Sequence, residues 1–413
     1  MAVESPARIA VLGAGPIGLE AALYARYLGY EVDLYERGRV AEHLLQWGHT
    51  RLFTPFAANV SPLGISALAA QDSTWSPPAA EAFITGLELA ERYCVPLAQS
   101  DLLVDGIHEQ TEVLAVARGE MRKQDLAGEE RAEADFRLLL RSSAGARFPP
   151  GERFATAEVV IDTTGTYGQH NWLGRGGIPA IGELAAAPHI EYGVPDFLGL
   201  ARDQYAHHHT LVVGSDPAVA SVVMALARLG HETPFTRITW ITGSADESDG
   251  GPICRIENDP WPERDQLIGS ANHLIRGEVG HLTFWPTTWV EQVSYHGSGR
   301  PFVVRFSGRH AAEIEVDRIV ANVGFRPESG LYGELQVAED AAQAGPTRWL
   351  AEQSPQALVT PEPDFYVLGA KSVGRDSRFT ISDGLQQIRH LFTIIGDRPD
   401  LDLYKVEGRS PQA

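Results

Sequence analysis

The chain has 413 residues, of which 44% are hydrophobic and 21% charged, a composition typical of a globular protein of about two or three domains. Its 34 Lys and Arg against 54 Asp and Glu give a formal charge of -20, which repels phosphate backbones and anionic lipids, so we expect neither nucleic acid nor a membrane as partner. Cys94 and Cys254 form no CxxC motif, and Glu20 interrupts the apolar stretch 9–28, so we expect a cytoplasmic protein without disulfides or a signal peptide.

A complete βαβ dinucleotide-binding unit is predicted at residues 8–38, RIAVLGAGPIGLEAALYARYLGYEVDLYERG. In its turn, Gly13 allows the tight bend, Gly15 lets the backbone approach a pyrophosphate, and Gly18 lets the helix pack against the strand. The helix then directs its partially positive N-terminus at the phosphates. Glu36, at the end of the second strand, is placed to accept hydrogen bonds from ribose hydroxyls and would repel a 2′-phosphate, so a dinucleotide with a free ribose is expected.

Further strands that end in glycine turns are predicted along the rest of the chain, in the segments 157–168, 316–329 and 364–379. The last of them precedes an amphipathic helix at residues 382–395, with Ser382 or Asp383 placed to cap it.

Together these segments resemble the two-dinucleotide-domain flavoprotein superfamily, which includes the thioredoxin-reductase-like, flavin-containing monooxygenase and N-hydroxylating monooxygenase families. The resemblance implies an α/β fold in which a Rossmann-like FAD domain, 1–205 and 308–413, carries an inserted, smaller NAD(P)-binding-like Rossmann domain, 206–307. It also implies that a helix beginning near Gly384 directs its N-terminus at the flavin carbonyl. The implied cofactor-binding residues are Gly13, Gly15, Pro16, Ile17, Gly18, Glu36, Arg37, Trp47, Val113, Thr164, Gly165, Gly369 and Gly384 for FAD, and Gly214 and Ser215 for a nicotinamide dinucleotide.

Residues 211–230, LVVGSDPAVASVVMALARLG, repeat the strand, turn and helix pattern of the first unit with altered turn residues. Gly214 matches the first glycine, but Asp216 replaces the second, and Val219 stands where a small residue is usual. A carboxylate beside a pyrophosphate costs about 1 kcal/mol or more. The site therefore either binds NADH or NADPH or is a retained scaffold. NADH is as plausible as NADPH, because the next strand is followed by the acids Asp246, Glu247 and Asp249 and by no basic residue before Arg255.

The loop 46–64, QWGHTRLFTPFAANVSPLG, has the composition of a ligand-lining loop and supplies the candidate catalytic residues. In flavin-containing monooxygenases a comparable stretch places an asparagine beside the reactive flavin edge, and Asn59 is the nearest match here. Arg51 and His49 could shape the same pocket. Alternatively, the aromatic residues of the loop pack beneath FAD and Arg51 pairs with its phosphates.

Three basic residues outside this loop, Arg255, Lys371 and Arg375, could bind an acidic group of a substrate or cofactor, or form ordinary ion pairs. Lys371 follows a glycine turn where many members of the superfamily carry an aspartate that bonds the FAD ribityl chain. The run His207 to His209 precedes a strand and points to alternating faces, so we expect no metal site.

The leading hypothesis is an FAD-dependent oxidoreductase, a monooxygenase in which NAD(P)H reduces the flavin and oxygen is transferred to a small-molecule substrate. The missing CxxC and the Asn59 loop motivate it. The alternatives are a dehydrogenase or oxidase whose FAD is reduced by the substrate itself, with a degenerate nicotinamide domain, and a flavin redox sensor that turns nothing over. A homodimer is possible in each case.

Overall fold

The computed structural model describes residues 3–125, 128–243, 251–257, 259, 261–277, 279–297 and 299–405. Asp246, Glu247 and Asp249, on which the choice between NADH and NADPH depends, lie outside the described residues. The chain forms two compact units: unit 1 comprises Met1–Gln169 and Arg326–Ala413, and unit 2 comprises His170–Phe325. No helix of the described part of the chain is long and apolar enough to cross a membrane.

The strands are, in chain order, β1 (Arg8–Leu12), β2 (Glu31–Tyr35), β3 (Ile107–His108), β4 (Thr111–Arg118), β5 (Phe136–Ser142), β6 (Gly151–Ala157), β7 (Val159–Asp162), β8 (His209–Val213), β9 (Arg237–Ile241), β10 (Leu282–Trp285), β11 (Thr288–Ser294), β12 (Phe302–Gly308), β13 (Glu313–Val316), β14 (Arg318–Ala321) and β15 (Phe365–Val367).

The α-helices are α1 (Pro16–Tyr27), α2 (Glu42–Gln46), α3 (Pro62–Gln71), α4 (Gly86–Leu89), α5 (Val95–Ala98), α6 (Gly128–Glu133), α7 (Glu183–Ala186), α8 (Arg202–Tyr205), α9 (Pro217–Glu232), α10 (Pro262–Leu274), α11 (Trp349–Glu352) and α12 (Ile381–Ile395). A π-helical turn, Ala90–Cys94, joins α4 to α5. The 3₁₀ turns are Phe56–Asn59, Val104–Gly106, Arg175–Gly177, Ala187–His189, Gly330–Tyr332, Pro355–Leu358 and Ala370–Val373.

Unit 1 is built on a parallel sheet in the order β15-β7-β1-β2-β3, with an antiparallel sheet β4-β5-β6 beside it. Side chains of β1 alternate between two cores, as the period of a strand requires. Ile9 and Val11 pack in the core that contains α1 and α12, whereas Ala10 and Leu12 pack in the core that contains the antiparallel sheet. Both faces of the parallel sheet are therefore covered, which explains why β1 and β7 have almost unbroken apolar sequences.

Helix α12 starts one residue earlier than the sequence predicted, and its cap is neither of the two expected residues. Thr380 is the N-cap: its hydroxyl accepts the N–H of Asp383 (3.4 Å), and the Asp383 carboxylate accepts the N–H of Thr380 (2.8 Å). This reciprocal capping box uses Thr-x-x-Asp, so Asp383 serves at the third helical position. The expectation that Ser382 or Asp383 itself is the N-cap is wrong.

Unit 2 repeats this plan with a parallel sheet in the order β10-β9-β8-β14 and an antiparallel sheet β11-β12-β13. Val212 packs with α9 and α10 on one face, whereas Leu211 and Val213 pack with the antiparallel sheet on the other. The boundaries of this unit lie outside the expected 206–307, because β13 and β14 pair with β12 and β8. On the N-terminal side, Phe197 and Tyr205 belong to the core around α9.

A buried ion triad ties β4 and α6 to the chain just before β15. The carboxylate of Glu362 accepts from Arg118 Nε (3.0 Å) and from Arg131 Nη2 (2.6 Å), and all three side chains are almost fully buried. Burial of Glu362 opposes ionisation, but the hydrogen bonds it accepts, first from Arg131, outweigh that effect, and its pKa is held below its ordinary value.

Candidate functional site

The first glycine turn joins β1 to α1 at the carboxyl edge of the sheet, where the strand order reverses between β1 and β7. Gly13 has φ +96°, and a Cβ at Gly18 would lie 1.9 Å from the carbonyl oxygen of Gly13, so the protein's own backbone requires glycine at both positions. Gly15 differs, since a Cβ there would meet no atom within 4 Å. The missing side chain at Gly15 leaves open space above the turn, a cradle that a ligand can occupy.

Glu36 stands at the end of β2 beside this turn, and its carboxylate organises the backbone. Oε2 accepts the N–H of Ala14 (2.9 Å) and Oε1 accepts the N–H of Gly38 (2.7 Å). Burial raises the pKa of Glu36, while these two hydrogen bonds lower it in part. Each oxygen keeps a further lone pair for a ligand hydroxyl. Arg37 next to it is exposed, 4.0 Å from the carboxylate of Glu112.

The end of β7 lies against the same turn. The Thr163 hydroxyl donates to the carbonyl oxygens of Leu12 (2.8 Å) and Gly13 (3.0 Å). Thr164 donates its N–H to Asp162 (3.0 Å), and Gly165 follows with φ +70° and open space around its Cβ position. The strand therefore delivers Thr164 and Gly165 to the open side of the first glycine turn.

Lys371, which the sequence offered as a binder of an acidic ligand group, is instead a buried structural cation. Its Nζ donates to Asp162 Oδ2 (2.7 Å) and to the Thr164 hydroxyl (3.0 Å), and neither side chain of the ion pair is accessible to solvent. The proposed role in anion binding is therefore wrong, because the charge is already neutralised by Asp162.

Arg255, a second of the three basic candidates, also forms an ion pair. Its Nε donates to Asp265 (2.7 Å), and Arg264 Nη2 pairs with Asp259 (2.6 Å). Arg255 and Arg264 therefore form local ion pairs near α10. Arg375 donates its backbone N–H to the carbonyl of Gln343 (2.8 Å).

The starts of α1 and α12 interlock through Ile17, a contact that the sequence did not indicate. A Cβ at Gly384 would lie 2.2 Å from Ile17 Cδ1, so glycine is needed there for packing. On its other side Ile17 faces Gly369, whose Cβ position lies 3.8 Å from Ile17 Cγ1 and whose N–H donates to Gln387 (2.8 Å). Pro16 occupies the first helical position of α1 and leaves no unused N–H there. The segments implied for FAD binding at the two ends of the chain thus meet at one edge.

Three aromatic side chains form a cluster in the same unit. The ring of Tyr167 lies 6.3 Å from that of Trp47 and 5.6 Å from that of His43. Tyr167 is 48% exposed, and desolvation by its surroundings raises its pKa. The buried Nε1–H of Trp47 has no hydrogen-bond partner among the described residues. Sequence reasoning missed Tyr167 and His43, although the TGTYG turn after β7 was a usable signal.

The three candidate catalytic residues have separate partners. Asn59 is buried: its Oδ1 accepts the hydroxyl of Thr54 (2.8 Å) and its Nδ2 donates to the Pro55 carbonyl (2.8 Å). Arg51 is exposed and donates to the carbonyl of Phe83 (3.0 Å), and His49 is exposed. Asn59 thus holds the turn at 54–59.

Val113, implied as a contact of the cofactor, lies in β4 at an irregularity of register between Val113 and Ala115. Such β-bulges redirect the side chains of a strand and are common near binding sites. Val113 is half-buried and packs against the core of the antiparallel sheet.

The second glycine turn lies between β8 and α9 in unit 2. It keeps the first glycine, but Asp216 stands where unit 1 has Gly15. Gly214 has φ +137°, and a Cβ there would lie 2.0 Å from the carbonyl oxygen of Asn322. Asp216 is the N-cap of α9, and its side chain accepts no capping hydrogen bond. Burial raises the pKa of Asp216. Ser215 is exposed, and Val219 is fully buried in the core around α9.

The histidine run His207 to His209 has individual partners. The Nδ1 atoms of His207 and His208 lie 2.7 Å and 2.8 Å from the carbonyl oxygens of Pro234 and Ala206. His209 Nε2 lies 2.9 Å from the Thr239 hydroxyl, and burial lowers the pKa of this imidazole. Nowhere in the described ranges do three potential metal ligands come together.

Comparison with known proteins identifies the fold. No family model and no curated protein sequence matches the chain. Among solved structures, a bacillithiol disulfide reductase from Bacillus cereus is 16% identical, with 95% of this chain and 99% of that chain covered and a TM-score of 0.70. The FAD-bound cadaverine monooxygenase of desferrioxamine biosynthesis from Erwinia amylovora is 13% identical, with 99% of both chains covered and a TM-score of 0.67. A flavin monooxygenase from Stenotrophomonas maltophilia is 18% identical, with 95% and 98% covered and a TM-score of 0.56. The predicted α/β fold class is confirmed, and the chain has the fold of the two-dinucleotide-binding flavoproteins.

Proposed function

We propose that the protein is an FAD-dependent oxidoreductase that acts on a small molecule. The observation that carries this proposal is the open space at Gly15, in a turn where the backbone itself demands glycine only at Gly13 and Gly18. A dinucleotide pyrophosphate lying on the start of α1 explains why position 15 has no side chain.

The residues around the turn fit the remaining parts of FAD. The spare lone pairs of Glu36 suit the ribose hydroxyls, and Thr164 and Gly165 border the open side of the turn. The buried N–H of Trp47, which has no partner among the described residues, is a free donor in the aromatic cluster. FAD, when bound, would supply reversible two-electron redox chemistry; these residues would hold it, and the N-terminus of α12 would favour negative charge near it.

The flavin proposal is tested by purification and reconstitution. We expect yellow protein that contains FAD, and we expect Gly15→Asp to weaken FAD binding by about tenfold or more, because a carboxylate would face the pyrophosphate. Gly269→Asp in unit 2 is the matched control, since that glycine also has open space around its Cβ position and the variant introduces the same carboxylate. Protein that stays colourless after incubation with excess FAD contradicts the proposal.

The first of two finer candidates is a flavin monooxygenase driven by NAD(P)H. Cysteine placement supports oxygen over a disulfide as the acceptor: Cys94 is buried in unit 1, Cys254 is exposed in unit 2, and burial and the nearby charge of Glu20 raise the pKa of the Cys94 thiol. A buried thiol with a raised pKa and an exposed thiol in the other unit do not form the paired cysteines that dithiol chemistry requires. On this candidate, anaerobic titration with NADH or NADPH bleaches the flavin, and oxygen is then consumed with formation of an oxygenated product; flavin that neither nucleotide bleaches rejects it.

The second candidate is a dehydrogenase or oxidase whose flavin is reduced by the substrate. The position of Asp216 in the turn of unit 2 favours it. Bleaching under argon by a substrate alone, with no bleaching by NADH or NADPH, would support this candidate over the monooxygenase. Flavin that stays oxidised with every reductant and metabolite pool would instead favour a sensor that turns nothing over.

A further inference from the structure

The two dinucleotide turns of the chain have nearly the same backbone at the position where they differ most in charge. Gly15 is the N-cap of α1 with φ -75° and ψ -179°, and Asp216 is the N-cap of α9 with φ -76° and ψ 161°. Each is followed by a proline at the start of its helix. Either residue can therefore adopt either conformation without strain, and at this position the two turns differ only in the side chain.

The side chain of Asp216 occupies the position that corresponds to the open space at Gly15 in unit 1. Its Oδ2 lies 3.4 Å from the Cβ position of Gly324, in the turn that follows β14, and β14 is the neighbour of β8 at the reversal of strand order. In parallel sheets of this kind the ligand crevice opens at that reversal. Asp216 thus projects into the crevice where the phosphates of a dinucleotide would approach.

No hydrogen bond or ion pair of the Asp216 side chain is found within the described ranges, and no cation contributes to its electrostatic surroundings there. Burial alone raises its pKa. Next to it, Val219 replaces the glycine that closes the turn of unit 1, and its Cγ2 lies 3.1 Å from the Cβ position of Gly214. Because Val219 is fully buried in the core around α9, the Asp216 carboxylate is the group that opposes an entering pyrophosphate.

We propose that Asp216 excludes dinucleotide pyrophosphates from the turn of unit 2, and that this residue prevents NADH and NADPH from binding there. The exclusion concerns unit 2 alone, whereas its consequence for electron supply rests on the proposed flavin function. Given that function, NADH and NADPH would not reduce the flavin by binding at this turn, which favours the dehydrogenase or oxidase over the NAD(P)H-driven monooxygenase.

The test measures binding of NADH and NADPH to the full-length protein by nucleotide fluorescence and calorimetry, for the wild type, Asp216→Gly and Asp216→Asn. Asp216→Gly gives this position the residue that unit 1 has, and Asp216→Asn removes the charge at almost constant shape. Asp203→Asn, an exposed acid on α8, is the matched control.

We expect NADH and NADPH to bind only weakly to the wild type and to Asp203→Asn, and to bind both Asp216 variants about tenfold more tightly or more, equal to about 1.4 kcal/mol or more. Micromolar binding by the wild type overturns the proposal, and so does equally poor binding by well-folded Asp216 variants. If Asp216→Gly loses its cooperative melting transition, the comparison of Asp216→Asn with the wild type tests the proposal. Nucleotide binding can be measured whether or not the protein holds flavin, so colourless protein rejects the flavin function and leaves this test intact.

Discussion

Replacing Lys371 by methionine should destabilise unit 1 strongly, because it leaves a carboxylate buried without its cation. Asp162 and Lys371 are both inaccessible to solvent, 2.7 Å apart, and without Nζ the Asp162 carboxylate keeps only the two donors of Thr164. Breaking a buried pair from one side typically costs about 3–5 kcal/mol, and we expect Lys371→Met to lower the free energy of unfolding by that amount.

The double variant Lys371→Met with Asp162→Asn supplies the control. The asparagine carbonyl can still accept the N–H of Thr164, and no charge is left buried, so the double variant should regain about 2 kcal/mol or more of the loss. Urea unfolding of the wild type, both single variants and the double variant closes the cycle. A Lys371→Met protein within about 1 kcal/mol of the wild type would refute the structural role and return Lys371 to the set of ligand-binding candidates.

Gly18→Ala should cost about 1–3 kcal/mol or more and loosen α1, since its methyl group would lie 1.9 Å from the Gly13 carbonyl oxygen; an unchanged melting curve would contradict the packing described. The pKa of Glu362 is below its ordinary value, so its stabilisation is present at neutral pH and is lost as the pH falls below about 5 through the folded pKa. Glu362→Gln should reduce the loss of unfolding free energy at acid pH, measured by unfolding curves recorded across pH. An unchanged pH dependence would show that other groups cause the loss. A thiol reagent should modify Cys254 in the native protein and Cys94 only after unfolding; rapid modification of both would show that the second thiol is accessible.

Several features of the fold and site were predictable because they depend on neighbours in sequence. The βαβ unit at 8–38 is defined by a strand period, a helix period and three glycines within one short segment, and the structure has β1, α1 and β2 there. The repeated pattern at 211–230 likewise gives β8 and α9. The replacement by Asp216 was visible for the same reason, since a glycine fingerprint has fixed spacing.

Residues that meet across long separations could not be assigned from local patterns. Lys371 follows a glycine turn and looked available to a ligand, but the fold places it against Asp162, which is far away in sequence. Ile17 and Gly384 come from opposite ends of the chain and pack against each other, and neither residue type predicts that contact. Likewise, the extent of unit 2 follows from the pairing of β14 with β8, which sequence spacing alone does not specify.

The order of residues alone therefore determined the fold class, the two dinucleotide turns and the unusual charge in the second one, because these depend on periodicity and on chemistry within a few residues. Only tertiary structure decided which glycines the backbone requires and which leaves room for a ligand, and which charged groups are already neutralised. Those properties are set by atoms brought together from distant parts of the chain, and steric contact and Coulomb attraction both depend on distance in space.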